Sequence, residues 1–293
     1  MPEPLIDQKF LERLERLTLH WQKSFPGLVG GHNASRYPGS GQEFLDHRGF
    51  HHGDDLRAVN WRAYMRLEKL ILKLFQVEPR VPVRILLDTS ASMTTGDPSK
   101  FDYGRKLAAS LTYVGLVRLE SILIQPFDAT LHDPFTCGGG RHRIRPAVDF
   151  LEALKPGGRS DFAPALRNFI AEYPQRGLVI VISDFLDDRE CEKPIQYLAD
   201  FGHELFIVHL WGDEDRKPSL TGELELEDAE TGESVKLNFD DEARASYVDA
   251  FDNYARSIRE IAMRKGGRYI GLSTGTPIEQ AIFGSFLEAK GMQ

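Results

Sequence analysis

The sequence is poor in cysteine and has no long hydrophobic run. Its 293 residues include only two cysteines, Cys137 and Cys191, and these do not form a CxxC pair. A disulfide framework is therefore excluded, and we predict a cytoplasmic protein because this cysteine usage is typical of a reducing compartment. The densest apolar run, residues 178–182, is as long as a strand, whereas about 20 such residues are needed to cross a bilayer. Residues 1–19 mix charged side chains with leucines, which predicts no signal peptide.

A surplus of basic residues is also missing. The chain has 44 Asp and Glu against 36 Lys and Arg, which gives a formal net charge of −8. A general nucleic-acid-binding surface needs the opposite balance, so we predict no nucleic-acid partner. Residues 32–80 are locally richer in Arg, Lys and His. The hydrophobic content of 41% suits one large α/β domain, with or without a smaller companion.

Apolar segments with strand character alternate along the chain with segments of helical period. Strands are predicted at residues 83–87, 121–127, 177–183, 204–210 and 267–271, and helices at 101–119, 149–154, 163–173, 194–201 and 243–265. This alternation predicts a doubly wound α/β domain with a mostly parallel sheet.

Two regions depart from this alternation. Residues 1–80 contain a predicted amphipathic helix that ends before Pro26, a turn-rich loop to about residue 46, and a half-exposed strand at residues 70–75. Near residues 220–239, two alternating runs flank a turn, which predicts an inserted β-hairpin. We therefore predict an N-terminal extension over residues 1–80 and an α/β domain over residues 81–293.

Oxygen-bearing side chains follow the first strand of the predicted sheet. Asp88, Ser90 and Ser92 occupy alternate positions directly after it, at the edge of the sheet where open α/β folds bind ligands. Two later loops add Ser160 and Asp184, and Asp184 can face the same point as Asp88 if their strands are neighbours. Carboxylate and hydroxyl oxygens suit Mg²⁺ or Mn²⁺ far better than zinc.

Helix capping is the simpler interpretation of each of these residues taken alone. Asp and Ser at the end of a strand that precedes a helix are common N-caps, and this holds for Asp184 in particular. A cap needs only one side chain, whereas Asp88, Ser90 and Ser92 supply three. The triple pattern therefore favours a metal site.

The order and spacing of these residues resemble the metal-ion-dependent adhesion site of von Willebrand factor A-like domains. The resemblance implies a Rossmann-like fold in which Asp88, Ser90 and Ser92 are first-loop ligands. It likewise makes Ser160 the second-loop hydroxyl, where the family usually has threonine, and Asp184 the third-loop acid, which in the family typically acts through water.

A second motif resembles the bacterial domain-of-unknown-function family 58. It consists of Gly39, Gly41, Glu43, Phe44, Arg48, Gly53, Asp54, Asp55, Arg57, Asn60 and Trp61. Phe50 and Asn60 depart from the tyrosine and aspartate common in that family, whereas the hairpin turn at residues 228–233 resembles it. The resemblance implies a partner of the MoxR-type AAA+ ATPase class and a role in assembling or activating other proteins.

The N-terminal motif has two open interpretations. Arg48, Asp54, Arg57 and Trp61 are candidate partner-binding residues, but the charged ones also suit an ion-pair network that braces the segment. A zinc site at His47, His51 and His52 is disfavoured because adjacent histidines of an extended chain point apart.

The Gly-Gly-Gly run and the basic residues after it could suggest a phosphate-binding loop; these residues are Arg141, His142, Arg143 and Arg145. The P-loop spacing is missing there, which favours a flexible turn followed by a solvated basic face.

The main alternative function is a Mg²⁺-dependent phosphatase. Asp88 would be its nucleophile, and Asp184, Asp187 and Asp188 would be late metal ligands. Haloacid-dehalogenase-like phosphatases have a D-x-D pattern in the first loop, and its second acid supplies both a metal ligand and the general acid. In this chain Ser90 occupies the position of that second acid. We therefore predict a non-catalytic protein that binds a partner's Asp or Glu through its metal ion.

Overall fold

The computed structural model describes residues 5–17, 19, 43–52, 56, 59–76, 82–187, 191–264, 266–289 and 292. The strands are β1 (Glu43–Gly49), β2 (Ile71–Gln76), β3 (Pro82–Asp88), β4 (Ser121–Phe127), β5 (Phe135–Gly138), β6 (Leu178–Ser183), β7 (Glu204–Trp211), β8 (Gly222–Glu227), β9 (Ser234–Phe239) and β10 (Arg268–Ser273). The helices are α1 (Gln8–Leu14), α2 (Trp61–Leu67), α3 (Lys100–Val117), α4 (Ile144–Ala153), α5 (Phe162–Glu172), α6 (Glu192–Asp200), α7 (Asp213–Arg216), α8 (Asp241–Arg264), α9 (Ile278–Gln280) and α10 (Phe286–Glu288).

The chain forms two compact units. Ser24–Val81 make up the smaller unit, and Met1–Lys23 together with Pro82–Gln293 make up the larger one. The sequence prediction placed all of residues 1–80 in one extension, whereas α1 belongs to the larger unit. The reason is packing: Phe10 and Leu14 of α1 are buried, and the ring of Phe10 packs edge-on against Phe283.

The larger unit is built on a six-stranded sheet in the order β10-β7-β6-β3-β4-β5. Every neighbouring pair is parallel except β4 with β5, which is antiparallel. The predicted doubly wound, mostly parallel fold is confirmed. β5 was not predicted, because its four residues alternate between partial and full exposure and have no strong apolar signal.

Helices cover both faces of this sheet, which explains why β3 and β6 are buried over nearly their whole length. On one face, α3 approaches closely at Gly104, where a Cβ atom would lie 3.2 Å from Leu87 Cδ1. On the other face, a core cluster joins Leu86 and Val181 of the strands to apolar residues of α5, α6 and α8.

The chain order of the strands runs outward from β3 in both directions, first to β4 and later to β6. The boundary between β3 and β6 is therefore the topological switch point, where open α/β sheets bind ligands beyond the carboxyl ends of the strands.

The predicted hairpin is confirmed as β8 paired antiparallel with β9, and the predicted long helix that follows it is α8. Within the described ranges, no helix is both long enough and apolar enough to cross a membrane.

The smaller unit contains an antiparallel pair, β1 with β2, and the short helix α2. Asn60 caps α2 by accepting a hydrogen bond from the Ala63 amide, and Glu68 ends it in a left-handed conformation with φ 50°. The strand predicted at residues 70–75 is β2, whereas β1 and α2 were not predicted. Most of the predicted turn-rich loop lies outside the described residues.

Candidate functional site

The switch point brings Asp88 and Asp184 to the same edge of the sheet. β3 and β6 are parallel neighbours, and Leu87 pairs with Ile182 in their register. Asp88 and Ser183 are therefore the next residues on these strands, and Asp184 follows directly. The condition that the sequence prediction set for a shared site, that the two strands be adjacent, is met.

Asp88 is fully buried, and both of its carboxylate oxygens accept hydrogen bonds. The Ser90 amide donates to Oδ1 at 2.9 Å, and the Ser183 hydroxyl donates to Oδ2 at 2.6 Å. Burial, with the nearby charge of Asp184 as a second cause, raises the pKa of Asp88 to about 7. Two carboxylates forced together in this way favour a cation between or beside them.

Ser90 and Ser92 turn their hydroxyl groups toward each other, and that of Ser92 also contacts Asp184. Their Oγ atoms are 3.0 Å apart, and Ser92 Oγ donates to Asp184 Oδ1 at 3.3 Å. Ser90 precedes the short 3₁₀ helix Ala91–Thr94 but makes no capping hydrogen bond with its side chain, and α3 is capped by Ser99. The capping interpretation therefore does not explain these two serines.

Asp184 does not cap a helix either, because α6 begins after Cys191. Its Oδ1 instead accepts a hydrogen bond from the Leu186 amide at 3.2 Å within its own loop, in addition to the bond from Ser92.

The second loop is attached to the first by backbone hydrogen bonds. The Ala91 amide donates to the Gly158 carbonyl at 2.9 Å, and the Gly157 amide donates to the Thr89 carbonyl at 2.7 Å. Gly158 has φ +86°, and a Cβ atom there would lie 2.6 Å from Asp128 Oδ2, so the position suits only glycine. This tight turn carries the chain on to Ser160.

Ser160 is almost completely buried, with 3% of its surface exposed. Among the described residues, its hydroxyl oxygen has no hydrogen-bond partner. A buried hydroxyl group without a partner costs about 1–3 kcal/mol, so this oxygen is a position where a ligand is expected.

Lys100 is a site residue that the sequence analysis missed. Its ammonium group is buried and lies 2.7 Å from Asp184 Oδ2 and 3.3 Å from Asp215 Oδ2. Burial alone would lower the pKa of Lys100, but the charges of Asp184 and Asp215 outweigh it and raise the pKa. The available signal was its position at the first residue of α3, where the helix dipole disfavours a cation unless an acidic partner is present.

Glu230 is a second site residue that was missed. It lies in the hairpin turn between β8 and β9, and its Oε2 accepts a hydrogen bond from the Ser160 amide at 3.0 Å. Its Oε1 is buried and has no partner of ordinary hydrogen-bond geometry among the described residues. Burial raises the pKa of Glu230, the Ser160 amide opposes this, and the charge of Asp184 raises it further.

The donor set fits a hard divalent cation such as Mg²⁺ or Mn²⁺. The Lys100 ammonium group pairs with the carboxylates of Asp184 and Asp215, while burial and the charge of Asp184 raise the pKa of Asp88 and of Glu230, so acidic side chains crowd this site. In the described ranges, no group of three or more His, Cys, Asp or Glu side chains is arranged to hold a metal. A cation here would therefore depend on serine hydroxyls as well as carboxylates, as the adhesion-site pattern implies.

Of the late acids of the phosphatase alternative, Asp184 belongs to this arrangement and Asp187 has a different contact. Asp187 Oδ2 accepts a hydrogen bond from the Phe162 amide at 3.0 Å, at the start of α5. Asp188 is outside the described residues.

The predicted partner-binding residues belong to the smaller unit. Trp61 has 53% of its surface exposed, and its ring contacts that of Tyr64 on the same helix. Arg48 Nη1 lies 2.8 Å from His51 Nδ1. Asp54 and Arg57 lie outside the described residues.

The two other candidate motifs are the histidines near residue 50 and the basic run after the Gly-Gly-Gly turn. His51 and His52 are exposed, and the side chain of His47 is not described. After the Gly-Gly-Gly run, Arg141 forms an ion pair with Glu15 at 2.8 Å and Arg145 forms one with Asp149 at 2.8 Å. These ion pairs agree with a solvated basic face.

The strand order and the oxygen-rich loops at the switch point define a von Willebrand factor A-like domain. A family model confirms the narrower resemblance: the chain belongs to the family described as "Protein of unknown function DUF58", whose model matches residues 46–256.

A curated relative is similar over most of the chain. The uncharacterized protein Rv1480 of Mycobacterium tuberculosis (strain ATCC 25618 / H37Rv) is 26% identical over 263 residues, which cover 86% of this chain and 82% of the relative.

Two solved structures are more distantly similar. The conserved hypothetical protein BatB from Bacteroides thetaiotaomicron is 17% identical with a TM-score of 0.43, over 72% of this chain and 98% of that one. Proximal thread matrix protein 1 from the mussel byssus, in a form with a zinc-occupied adhesion-site motif, is 13% identical with a TM-score of 0.41, over 70% of this chain and 46% of that one.

Proposed function

We propose that this protein is a non-catalytic interaction module that binds a carboxylate of a protein partner through a divalent cation, Mg²⁺ or Mn²⁺. Asp88, Ser90, Ser92, Ser160 and Asp184 would hold the ion. When bound, the ion supplies a positive centre with an open position for an oxygen of the partner. Ser90 and Ser92 are uncharged, so they leave part of the ion's charge for that oxygen.

The observation that supports this proposal most directly is the convergence of unsatisfied oxygens with surplus negative charge. Ser160 Oγ is buried without a hydrogen-bond partner among the described residues, and Glu230 Oε1 is buried there without a partner of ordinary hydrogen-bond geometry. The pKa of Asp88 is raised by burial and, as a second cause, by the nearby charge of Asp184. A divalent cation would relieve both conditions, since it binds oxygen lone pairs and favours ionised carboxylates.

Binding accounts for the geometry of Asp88 better than catalysis does. A phosphatase nucleophile must reach a phosphate group, whereas Asp88 is 0% exposed and both of its oxygens already accept hydrogen bonds. Ser90 and Ser92 offer hydroxyls where a general acid would be needed. Mg²⁺-dependent turnover of a generic phosphate ester, abolished by Asp88→Asn, would contradict the proposal.

The proposed partner is an AAA+ ATPase of the MoxR type, or its client, and the proposed location is the cytoplasm. Both inferences rest on the family resemblance and on composition. The exposed Trp61 of the smaller unit is a second candidate contact, since aromatic side chains are enriched where interfaces concentrate binding energy.

Titration calorimetry with Mn²⁺ alone tests the metal site. We expect the wild-type chain to bind one ion, Asp88→Ala to abolish binding, and Asp149→Asn to bind as wild type does. Asp149 is a suitable control because its side chain is 53% exposed and pairs with Arg145 on helix α4, outside the site loops. Absence of Mn²⁺ binding by the wild-type chain would contradict the proposed function.

Pull-down of a MoxR-type ATPase from the same genome tests the partner. Capture is expected with Mg²⁺ and should be lost with EDTA or with Asp88→Ala. Capture that survives both treatments would contradict a metal-bridged contact.

A further inference from the structure

The turn of the inserted hairpin, residues 228–233, reaches the candidate metal site of the same chain. The Ser160 amide donates to Glu230 Oε2 at 3.0 Å, although the two residues are 70 positions apart in sequence. Ser160 is the residue whose buried hydroxyl has no partner among the described residues. The hairpin therefore brings a carboxylate next to Ser160, one of the proposed ligands.

The second oxygen of this carboxylate is available for an ion. Glu230 Oε2 is used by the Ser160 amide, whereas Oε1 is buried and has no partner of ordinary geometry among the described residues. Ser92 and Asp184 are near enough to affect the charge state of Glu230. If this contact only held the hairpin against the loop, one carboxylate oxygen, Oε2, would be enough.

The conformation of the turn is built by its own residues. Asp228 Oδ1 accepts hydrogen bonds from the Glu230 amide at 2.8 Å and the Thr231 amide at 2.7 Å. Gly232 continues the turn with φ +70°, and its amide donates to the Asp228 carbonyl. Glu230 is therefore presented in a defined direction, because the backbone on both sides of it is held.

The rest of the hairpin is largely exposed to solvent. Nearly every residue of β8 and β9 is exposed or half-buried, and Phe239 at the base is buried. Little apolar surface would be uncovered if the turn moved away from the site, so such a movement would be inexpensive.

We infer that Glu230 is an internal ligand of the metal site, occupying the position that a partner's carboxylate takes, so that the hairpin turn must move before a partner can bind. This inference rests on the proposed function, since it concerns the same ion. In this arrangement the chain regulates access to the ion, because its own Glu230 competes with the partner's carboxylate.

The deciding experiment uses the full chain with Mn²⁺ and ¹³C-acetate as the carboxylate probe. Glu230→Gln keeps an oxygen that can accept the Ser160 hydrogen bond but removes the charge. Glu233→Gln is the matched control, because it makes the same change at an exposed position of the same turn. Paramagnetic relaxation of acetate reports whether acetate reaches the ion, and calorimetry reports the affinity for Mn²⁺.

We expect Glu230→Gln to weaken Mn²⁺ binding roughly tenfold through the lost ligand charge, and to increase acetate relaxation several-fold at equal Mn²⁺ occupancy. Glu233→Gln should match the wild-type chain in both measurements. Glu230→Ala is a second variant that should give the same increase in acetate relaxation.

Two negative outcomes are distinguishable. If the wild-type chain binds Mn²⁺, Asp88→Ala does not, and Glu230→Gln matches Glu233→Gln in acetate relaxation, then the internal ligand is wrong and the metal site stands. If the wild-type chain binds no Mn²⁺, the proposed function and the internal ligand are both wrong.

Discussion

The two ends of the central sheet both contain buried charge, but they arrange it differently. At the amino end, Arg268 Nη2 lies 2.8 Å from Glu204 Oε1, and the two side chains are 8% and 1% exposed. At the carboxyl end, Lys100 pairs with Asp184 and Asp215, and two further carboxylates, those of Asp88 and Glu230, lie close to Asp184 with raised pKa values. Paired opposite charges can persist in a protein interior without a further partner, whereas a surplus of one sign is costly unless a cation joins it. The first arrangement needs no further partner, and the second is what the proposed cation site requires.

Glu204→Gln tests the amino end and should have the largest effect. It leaves the Arg268 guanidinium buried without its counter-charge, which typically costs about 3–5 kcal/mol of unfolding free energy. Urea denaturation should show this loss equally with Mn²⁺ and with EDTA, and the affinity for Mn²⁺ should not change. A loss of Mn²⁺ binding in this variant would remove the distinction between the two ends.

Asp88→Asn tests the carboxyl end, where the substitution should raise the unfolding free energy rather than lower it. With EDTA at pH 8, we expect this variant to be more stable than the wild-type chain by up to about 4 kcal/mol, because the raised pKa of Asp88 measures the cost of its charge in the folded state. With Mn²⁺ at about 100 times its Kd, the wild-type chain should gain about 2.7 kcal/mol and the variant nothing.

The pH dependence of stability follows from the same raised pKa of Asp88. Because the pKa of Asp88 is raised on folding, its contribution to stability is full below about pH 4, the ordinary range of an aspartate. That contribution is lost as pH rises through about 7, its folded value. In EDTA, the difference in unfolding free energy between Asp88→Asn and wild type should grow over this interval. A difference that stays constant with pH would contradict the assignment.

Lys100→Met should lower the unfolding free energy in EDTA by about 2–3 kcal/mol, because Asp184 loses a buried counter-charge. The effect should be smaller than that of Glu204→Gln, since Asp215 is 27% exposed and keeps contact with water. Mn²⁺ should restore more stability to this variant than to wild type, because the ion replaces the missing positive charge. Equal stabilisation by Mn²⁺ in both chains would show that Lys100 and the ion do not share these carboxylates.

Ser160→Ala should have the smallest effect on stability. Its hydroxyl makes no hydrogen bond among the described residues, so removing it should raise the unfolding free energy in EDTA by about 1 kcal/mol, the lower end of the cost of an unpaired buried hydroxyl. Mn²⁺ affinity should fall, while Ser160→Thr should keep it because the hydroxyl is retained. Unchanged affinity in Ser160→Ala would exclude this residue as a ligand.

Local patterns predicted the sheet well and the smaller unit poorly. The strand at Ser121–Phe127 was predicted to the residue, and the hairpin and α8 were predicted in place, because their apolar periods are strong. α2 has Trp61, Tyr64 and Met65 at helical spacing, but it is only seven residues long and buries none of them, so the apolar pattern is too short to indicate a helix. β5 escaped prediction for a similar reason, since an edge strand buries little.

Hydrophobic period and residue spacing are local properties, and they were enough to predict the parallel α/β architecture and the candidate ligands Asp88, Ser90, Ser92, Ser160 and Asp184. Which other charges join these ligands depends on how distant elements pack. Lys100 and Glu230 reach the site through the docking of a helix and the folding of a hairpin, and no local pattern states where such elements come to rest. In the folded chain, further acidic side chains surround the oxygen-rich loop that follows β3. The buried Lys100 neutralises them only in part.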